Sequence, residues 1–245
     1  MESLAVELQR ARALEVQKLA DAIETIGFEC TRCGACCRAE TCSSGEDGDA
    51  GPTGEPHTAT VFPDEIRRLQ GETDADWRDV ARPMPYGLET ASGEDTGEVH
   101  DGDGAQDAPT GSTFEWALQT DGCGDCTFYE ESDGTGACSV HEDRPLICRT
   151  YPFSVALGGT TQPMGEAVDA EGMVRAHECE GLGRDIDRDD AVELARALKR
   201  RALRELQEAI DVRDNYESVT PAAGEIVVHD SEGPKHVDGT PFDPE

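Results

Sequence analysis

Cys30-Thr31-Arg32-Cys33-Gly34-Ala35-Cys36-Cys37 sets four thiols within eight residues. Two-residue gaps let successive thiolates converge on one centre, because the chain turns sharply between them. Gly34 stands where such a turn calls for a left-handed backbone. Amide N–H groups of the turn can face the sulfurs and stabilise their negative charge. Cys30, Cys33 and Cys36 reproduce the C-x2-C-x2-C start of an iron–sulfur binding run, which leaves the fourth ligand remote. Four thiolates in a tetrahedron suit zinc equally well. A soft all-sulfur set selects zinc or iron–sulfur over magnesium or calcium. Adjacent Cys36 and Cys37 project in different directions, so they serve different metals or one of them is a neighbour. Buried reduced cysteines, disulfides and a redox dithiol at Cys30/Cys33 are the competing readings. Packing alone is a poor explanation for so dense a run.

Further along stand Cys126-Thr-Phe-Tyr, then Cys138-Ser-Val-His-Glu-Asp-Arg-Pro-Leu-Ile-Cys148-Arg-Thr-Tyr-Pro-Phe, then Cys179-Glu-Gly-Leu-Gly. These blocks, in this order, resemble the YkgJ-type cysteine-cluster family, a zinc- or iron-chelating CxxCxxCC domain. Its pattern is C-x-x-C-x-x-C-C, a C-x-F segment, a C…R-P-x-x-C-R-x-[FY]-P-[FY] block and a late Cys. The resemblance runs from Cys30 to about Gly183 and implies a metal-binding domain. It implies Cys30, Cys33, Cys36, Cys37, Cys126, Cys138, Cys148 and Cys179 as the ligands of zinc or iron, with [4Fe–4S] among the forms. Cys42 and Cys123 fall outside the pattern and are spares. A relative of this family is a flagellin lysine N-methylase. The rival implication is therefore an iron–sulfur oxidoreductase or a methyltransferase-related enzyme, and no catalytic residue can be named.

The composition narrows the classes. The 245 residues carry 21 Lys+Arg against 53 Asp+Glu, a net charge of −32. Nucleic-acid binding needs basic side chains to neutralise phosphates, so nucleic acid is excluded as a partner, and an anionic membrane surface with it. No run of about 18 apolar residues spans a bilayer. The opening MESLAVELQR is acidic and amphipathic, unlike a secretory signal. The expected compartment is the cytoplasm, where disulfides are rare. A protein partner is left open. Lys18, Lys199 and Lys235 are the only lysines. Such acidity with so little Lys points to a halophilic, archaeal-like member whose repulsion is screened by molar salt.

The expected fold class is α+β: a small irregular metal-organised cysteine-rich core with short strands, flanked by N-terminal and C-terminal helices. Residues 1–27 hold an amphipathic helix over 2–26, with Leu4, Leu8, Val16, Leu19, Ile23 and Ile26 on one face and Gly27 as its stop. Residues 28–186 form the cysteine-cluster domain, with acidic loop insertions at 43–60 and 87–112. Within it, Pro63 opens a short helix to about Gln70, and Asp74 caps another through Arg78. Phe114, Trp116 and Leu118 alternate as a strand; Phe128-Tyr129 and Tyr151–Leu157 are further strand candidates. Residues 187–212 hold a helix capped by Asp189, with Val192, Ala195, Leu198, Ala202, Leu206 and Ile210 on one face. Residues 213–245 read as an acidic tail in which Ile226-Val227-Val228 adds a short edge strand.

Weaker signals surround the cysteines. His141 and His177 lie near Cys138 and Cys179 and are alternative ligands or packing residues. His57, His100, His229 and His236 fall in solvated segments. Arg144, Pro145 and Arg149 can support the site, through a turn or by compensating thiolate charge. The acidic run after His100 lacks calcium-loop spacing. Arg196, Lys199, Arg200, Arg201 and Arg204 form a salt-bridged helix face.

Overall fold

The amphipathic stretch near the start folds as two helices, α1 (Leu4–Ala13) and α2 (Val16–Ile26), rather than one. Leu14 adopts φ −56° and ψ 128°, which interrupts the helical hydrogen bonds. Lys199 Nζ donates to the carbonyls of Arg12 (2.9 Å) and Leu14 (2.7 Å). The break is thus compensated by a cation at carbonyls that a helix end leaves open. This computed structural model describes residues 3–39, 56–89, 109–157, 167–169 and 172–242. The chain continues with β1 (Thr60–Val61), α3 (Pro63–Thr73), α4 (Trp77–Val80), β2 (Ala81–Pro83), β3 (Leu88–Glu89), β4 (Thr110–Phe114) and β5 (Trp116–Leu118). Then come β6 (Tyr129–Ser132), β7 (Thr135–Cys138), α5 (Leu146–Thr150), β8 (Phe153–Val155), β9 (Ala167–Asp169), β10 (Val174–His177), α6 (Arg188–Asn215), β11 (Ile226–Asp230) and β12 (Gly233–Lys235). The class is α+β, with short strands throughout.

Two compact units divide the chain: residues 1–36 with 130–210, and residues 37–129 with 211–245. In the first unit, α1, α2 and α6 bury one face each against the antiparallel sheet β8-β10-β9. Leu19, Ala20 and Ile23 of α2 meet Ala191, Ala195, Leu198, Ala202 and Leu206 of α6, with Phe153 and Ala176 from the sheet. The 3.6-residue spacing read on α6 is the spacing that is buried. Its N-terminal cap is Asp187 rather than Asp189: Asp187 Oδ1 accepts the N–H groups of Asp189 and Asp190, both at 3.0 Å. Alanines supply much of this interior and carry little apolar area, so the core is thin.

In the second unit, β1-β5-β2 is antiparallel, and β12-β11-β4-β3 is mixed, with β11 parallel to β4. The predicted strand through Phe114, Trp116 and Leu118 is two strands. Glu115 at φ 69° turns the chain, leaving Phe114 exposed while Trp116 and Leu118 are buried. Asp74 ends α3 in a left-handed conformation (φ 54°, ψ 23°), and α4 begins after Asp76 instead. Ile226–Asp230 is an interior strand rather than an edge, with Val227 and Val228 fully buried, and the stretch read as a tail contributes to a sheet. The side chain of Asp230 is the reason. It accepts Trp116 Nε1–H at 2.8 Å and pairs with Lys235 Nζ at 2.9 Å, all three groups being buried. Lys235 also lies 5.3 Å from the centre of the Trp77 ring. Cys42, His100 and the cores of both acidic loops lie outside the described residues. Among the described residues, no helix is long and apolar enough to cross a membrane.

Two histidines expected in solvent, His229 and His57, are placed otherwise, and His177 near Cys179 packs inside the fold. His229 is buried beside Tyr216 (ring centres 4.8 Å apart) and Phe114 (5.4 Å). His177 is buried, with Nε2 2.8 Å from Ser154 Oγ. His57 is half-buried, and its carbonyl accepts Arg82 at 3.0 Å. Burial first, and the Arg82 cation second, depress its imidazole to about 4 from 6.5, against a smaller opposing pull from Asp125. The folded chain therefore refuses a proton that the unfolded chain accepts between those two values. Stability is full above pH 6.5 and falls as pH drops toward 4, at about 1.4 kcal/mol per pH unit. H57N is expected to flatten that slope in urea titrations run across this window. An unchanged slope contradicts the assignment.

Candidate metal centre

Six thiols belong to the first unit: Cys30, Cys33, Cys36, Cys138, Cys148 and Cys179. The first three lie on the loop after α2. Phe28, two residues before Cys30, stands edge-on to Phe153 with ring centres 5.7 Å apart, so the helical core fixes where the loop begins. Gly34 takes φ 78° and Arg32 φ 57°, the left-handed turn expected between the thiols. The loop is held from two sides. Glu29 N–H donates to Gly181 O at 3.0 Å, and Phe28 bridges Leu182, which brings the Cys179 arm alongside. Gly136 N–H donates to Arg32 O at 2.8 Å, which brings in β7 and Cys138.

Gly181 is required by space. A Cβ there would sit 2.2 Å from the carbonyl oxygen of Glu29, which is backbone and cannot swing away. Any side chain would push the Cys30 and Cys179 arms apart.

Several of these thiols fall within one another's electrostatic reach. Burial pushes the Cys179 thiol up, and the charges of Cys36, Cys33 and Cys30 push it further, while Gly181 N–H opposes. That N–H points at Cys179 Sγ from 3.4 Å. Burial likewise raises Cys138; Val140 N–H and the Arg144 guanidinium oppose, and Cys36 and Glu130 add to the rise. Tyr151 is pushed up to about 12, mainly by burial and then by Cys179, Cys36, Glu178 and Cys33. Cys36 raises all three groups. Cys148 lies on α5, three residues before Tyr151 and inside the short helix that follows Pro145. Arg144 thus faces a thiol as expected, and Pro145 supports α5 by accepting Arg149 N–H at 3.0 Å.

Negative charge on Cys30, Cys33 and Cys36 disfavours charge on Cys179, and a bound cation would relieve that repulsion. N–H groups aimed at two of the sulfurs favour the charged form. The donor chemistry therefore fits zinc or iron. Among the described residues, no three His, Cys, Asp or Glu side chains are gathered closely enough to hold a metal ion. His141 is exposed, with Nδ1 3.2 Å from Glu142.

Cys37 and Cys126 belong to the second unit, where Cys126 N–H donates to Cys37 O at 2.8 Å. Ala39 N–H donates to Asp125 Oδ1 at 2.8 Å and holds the same pair of segments together. None of the eight pattern cysteines is in a disulfide. Cys123 is disulfide-bonded, against the expectation of a disulfide-free chain; it stands outside the metal pattern, in the turn where its N–H donates to Asp121.

Sequence reasoning missed Tyr151 as a neighbour of the thiols, and the hairpin β6-β7 that delivers Cys138. Asp133-Gly134, at φ 53° and 72°, was the available signal, because that dipeptide favours a two-residue hairpin turn.

No curated protein and no solved structure matches the chain. A family model does, over residues 29–180, from the residue before Cys30 to the residue after Cys179. That match takes in every thiol described above and more than half of the sequence, so the chain belongs to the CxxCxxCC family, described as a putative zinc- or iron-chelating domain.

Proposed function

We propose that this protein holds zinc or iron through Cys30, Cys33, Cys36, Cys138, Cys148 and Cys179 of the first unit, with Cys37 and Cys126 as the thiolate pair of the second. The observation that carries this reading is the influence of Cys30, Cys33 and Cys36 on Cys179, a residue some 140 positions away in sequence. An apolar core does not call for charged groups to be gathered there; a soft cation does. The protein's own contribution is to orient the sulfurs and partly offset the burial that raises them: Gly181 and Val140 donate N–H groups, and Arg144 supplies a compensating charge. Bound metal would also tie the thin helical core to the loop, because metal binding and folding are linked in sites of this kind.

Purification of the full chain under anaerobic conditions, followed by elemental analysis and a visible spectrum, tests the reading. Zinc or iron at near-stoichiometric level is expected, with a brown chromophore if the iron is in a cluster. Neither metal above trace level overturns it.

The cytosol is the compartment this reading favours, since eight reduced thiols persist best where reductants keep them so. The charge of −32 with three lysines favours a salt-rich cytosol. The melting temperature is expected to rise as KCl is raised from about 0.1 M to about 1 M, where the Debye length shrinks to ~3 Å. A flat or falling melting temperature contradicts the halophilic reading.

A further inference from the structure

Arg201 lies on α6, beyond the residues 29–180 that the family covers, and its side chain is wholly buried. It pairs with Glu205 along the helix as expected, but inside the fold rather than on a solvated face. A buried guanidinium is costly unless acceptors meet its N–H groups. Nε donates to Glu205 Oε1 at 2.6 Å. Nη1 donates to Thr150 Oγ1 at 3.0 Å and to Phe153 O at 3.3 Å. Thr150 passes its own hydroxyl proton to Leu146 O at 2.7 Å, so Arg201 grips the end of α5, the helix that bears Cys148.

Thr150 and Phe153 bracket Tyr151 and Pro152, and both of these bond to the Cys179 arm. The Tyr151 hydroxyl donates to Glu178 O, next to Cys179. Pro152 O accepts His177 N–H at 2.9 Å. We infer that Arg201 and Tyr151 are positioning residues of the metal centre: Arg201 fixes the Cys148 helix and the Tyr151 turn, and the Tyr151 hydroxyl fixes the Cys179 arm against them. This rests on the metal reading above and adds to it two residues that are not ligands. It also makes α6 part of the site's scaffold, although α6 carries no cysteine.

Y151F is the direct test, because it keeps the ring and removes one O–H. Co²⁺ is the probe, added to the full metal-free chain and followed by its ligand-field and sulfur-to-metal bands. Y151F is expected to take up as many Co²⁺ ions as the wild type, with affinity lower by about 10- to 100-fold, the usual effect of losing a ligand's supporting bond. Its ligand-field bands should shift, which a purely structural loss elsewhere would not produce. R201K is expected to shift the same bands and to retain more affinity than R201M. An ammonium keeps the charge but cannot hold Glu205 on one side and Thr150 with Phe153 on the other as the planar fork does. Y151F and R201K with wild-type affinity and bands overturn the positioning role and leave the metal reading standing. A wild-type chain that takes up no Co²⁺, and no Zn²⁺ in a parallel titration, overturns both.

Discussion

C36S is expected to reduce the chain's affinity for zinc or iron by more than the roughly 10- to 100-fold that follows loss of a supporting partner. Cys36 is the thiol whose charge reaches Cys138, Cys179 and Tyr151 alike. Removing it takes away the donor that the three arms of the first unit share. Serine preserves the shape of the turn, and Gly34 and Arg32 keep their left-handed conformations, so the loss is one of chemistry rather than of fold. Competition against a chelator of known affinity measures the change. The melting temperature of the metal-loaded chain should fall with it, since metal that binds only the folded form stabilises by mass action. Wild-type affinity in C36S would contradict the placement of Cys36 at the meeting point.

The second large effect belongs to the other unit. K235M is expected to destabilise the protein by about 3–5 kcal/mol, as removal of one partner from a buried ion pair typically does. Lys235 is 4% exposed and Asp230 is 1% exposed. With methionine at 235, the Asp230 carboxylate keeps Trp116 Nε1–H and the N–H of Glu232 (2.9 Å) but loses the ammonium paired with it. Glu232 loses an ammonium at 2.6 Å and keeps Arg67. Methionine replaces the stem that lies over Trp77 well enough, so packing is not the cause. The double variant D230N/K235M should recover part of the loss, because no buried charge is then left alone. Urea unfolding of the two variants decides this. A cost below about 1 kcal/mol for K235M, the range of an exposed pair, would show that the pair is not buried in solution.

How far these features could be read from the sequence follows from the range of the interactions behind them. The apolar period of α6 is local, and Ala195, Leu198, Ala202 and Leu206 fall where it puts them. The division of the first helix was not legible, because Lys199, nearly two hundred residues away, answers the carbonyls at the break. The closing strands were hidden for a similar reason. Gly, Pro and acids dominate 213–245, and what makes Ile226–Asp230 an interior strand is the bonding of Asp230 to Trp116, over a hundred residues earlier. The cysteine set was legible from spacing and family resemblance. Its support was not: Tyr151 resembles any aromatic in a strand, and Arg201 any cation on an amphipathic helix, until Thr150, Phe153 and Glu178 are placed beside them.

X-ray absorption at the metal edge of the full, metal-loaded chain tests the central claim most directly. A first shell dominated by sulfur is predicted, at about 2.3 Å if the metal is zinc, and it should lose sulfur in C36S. A shell of oxygen and nitrogen alone, unchanged by that substitution, would contradict it.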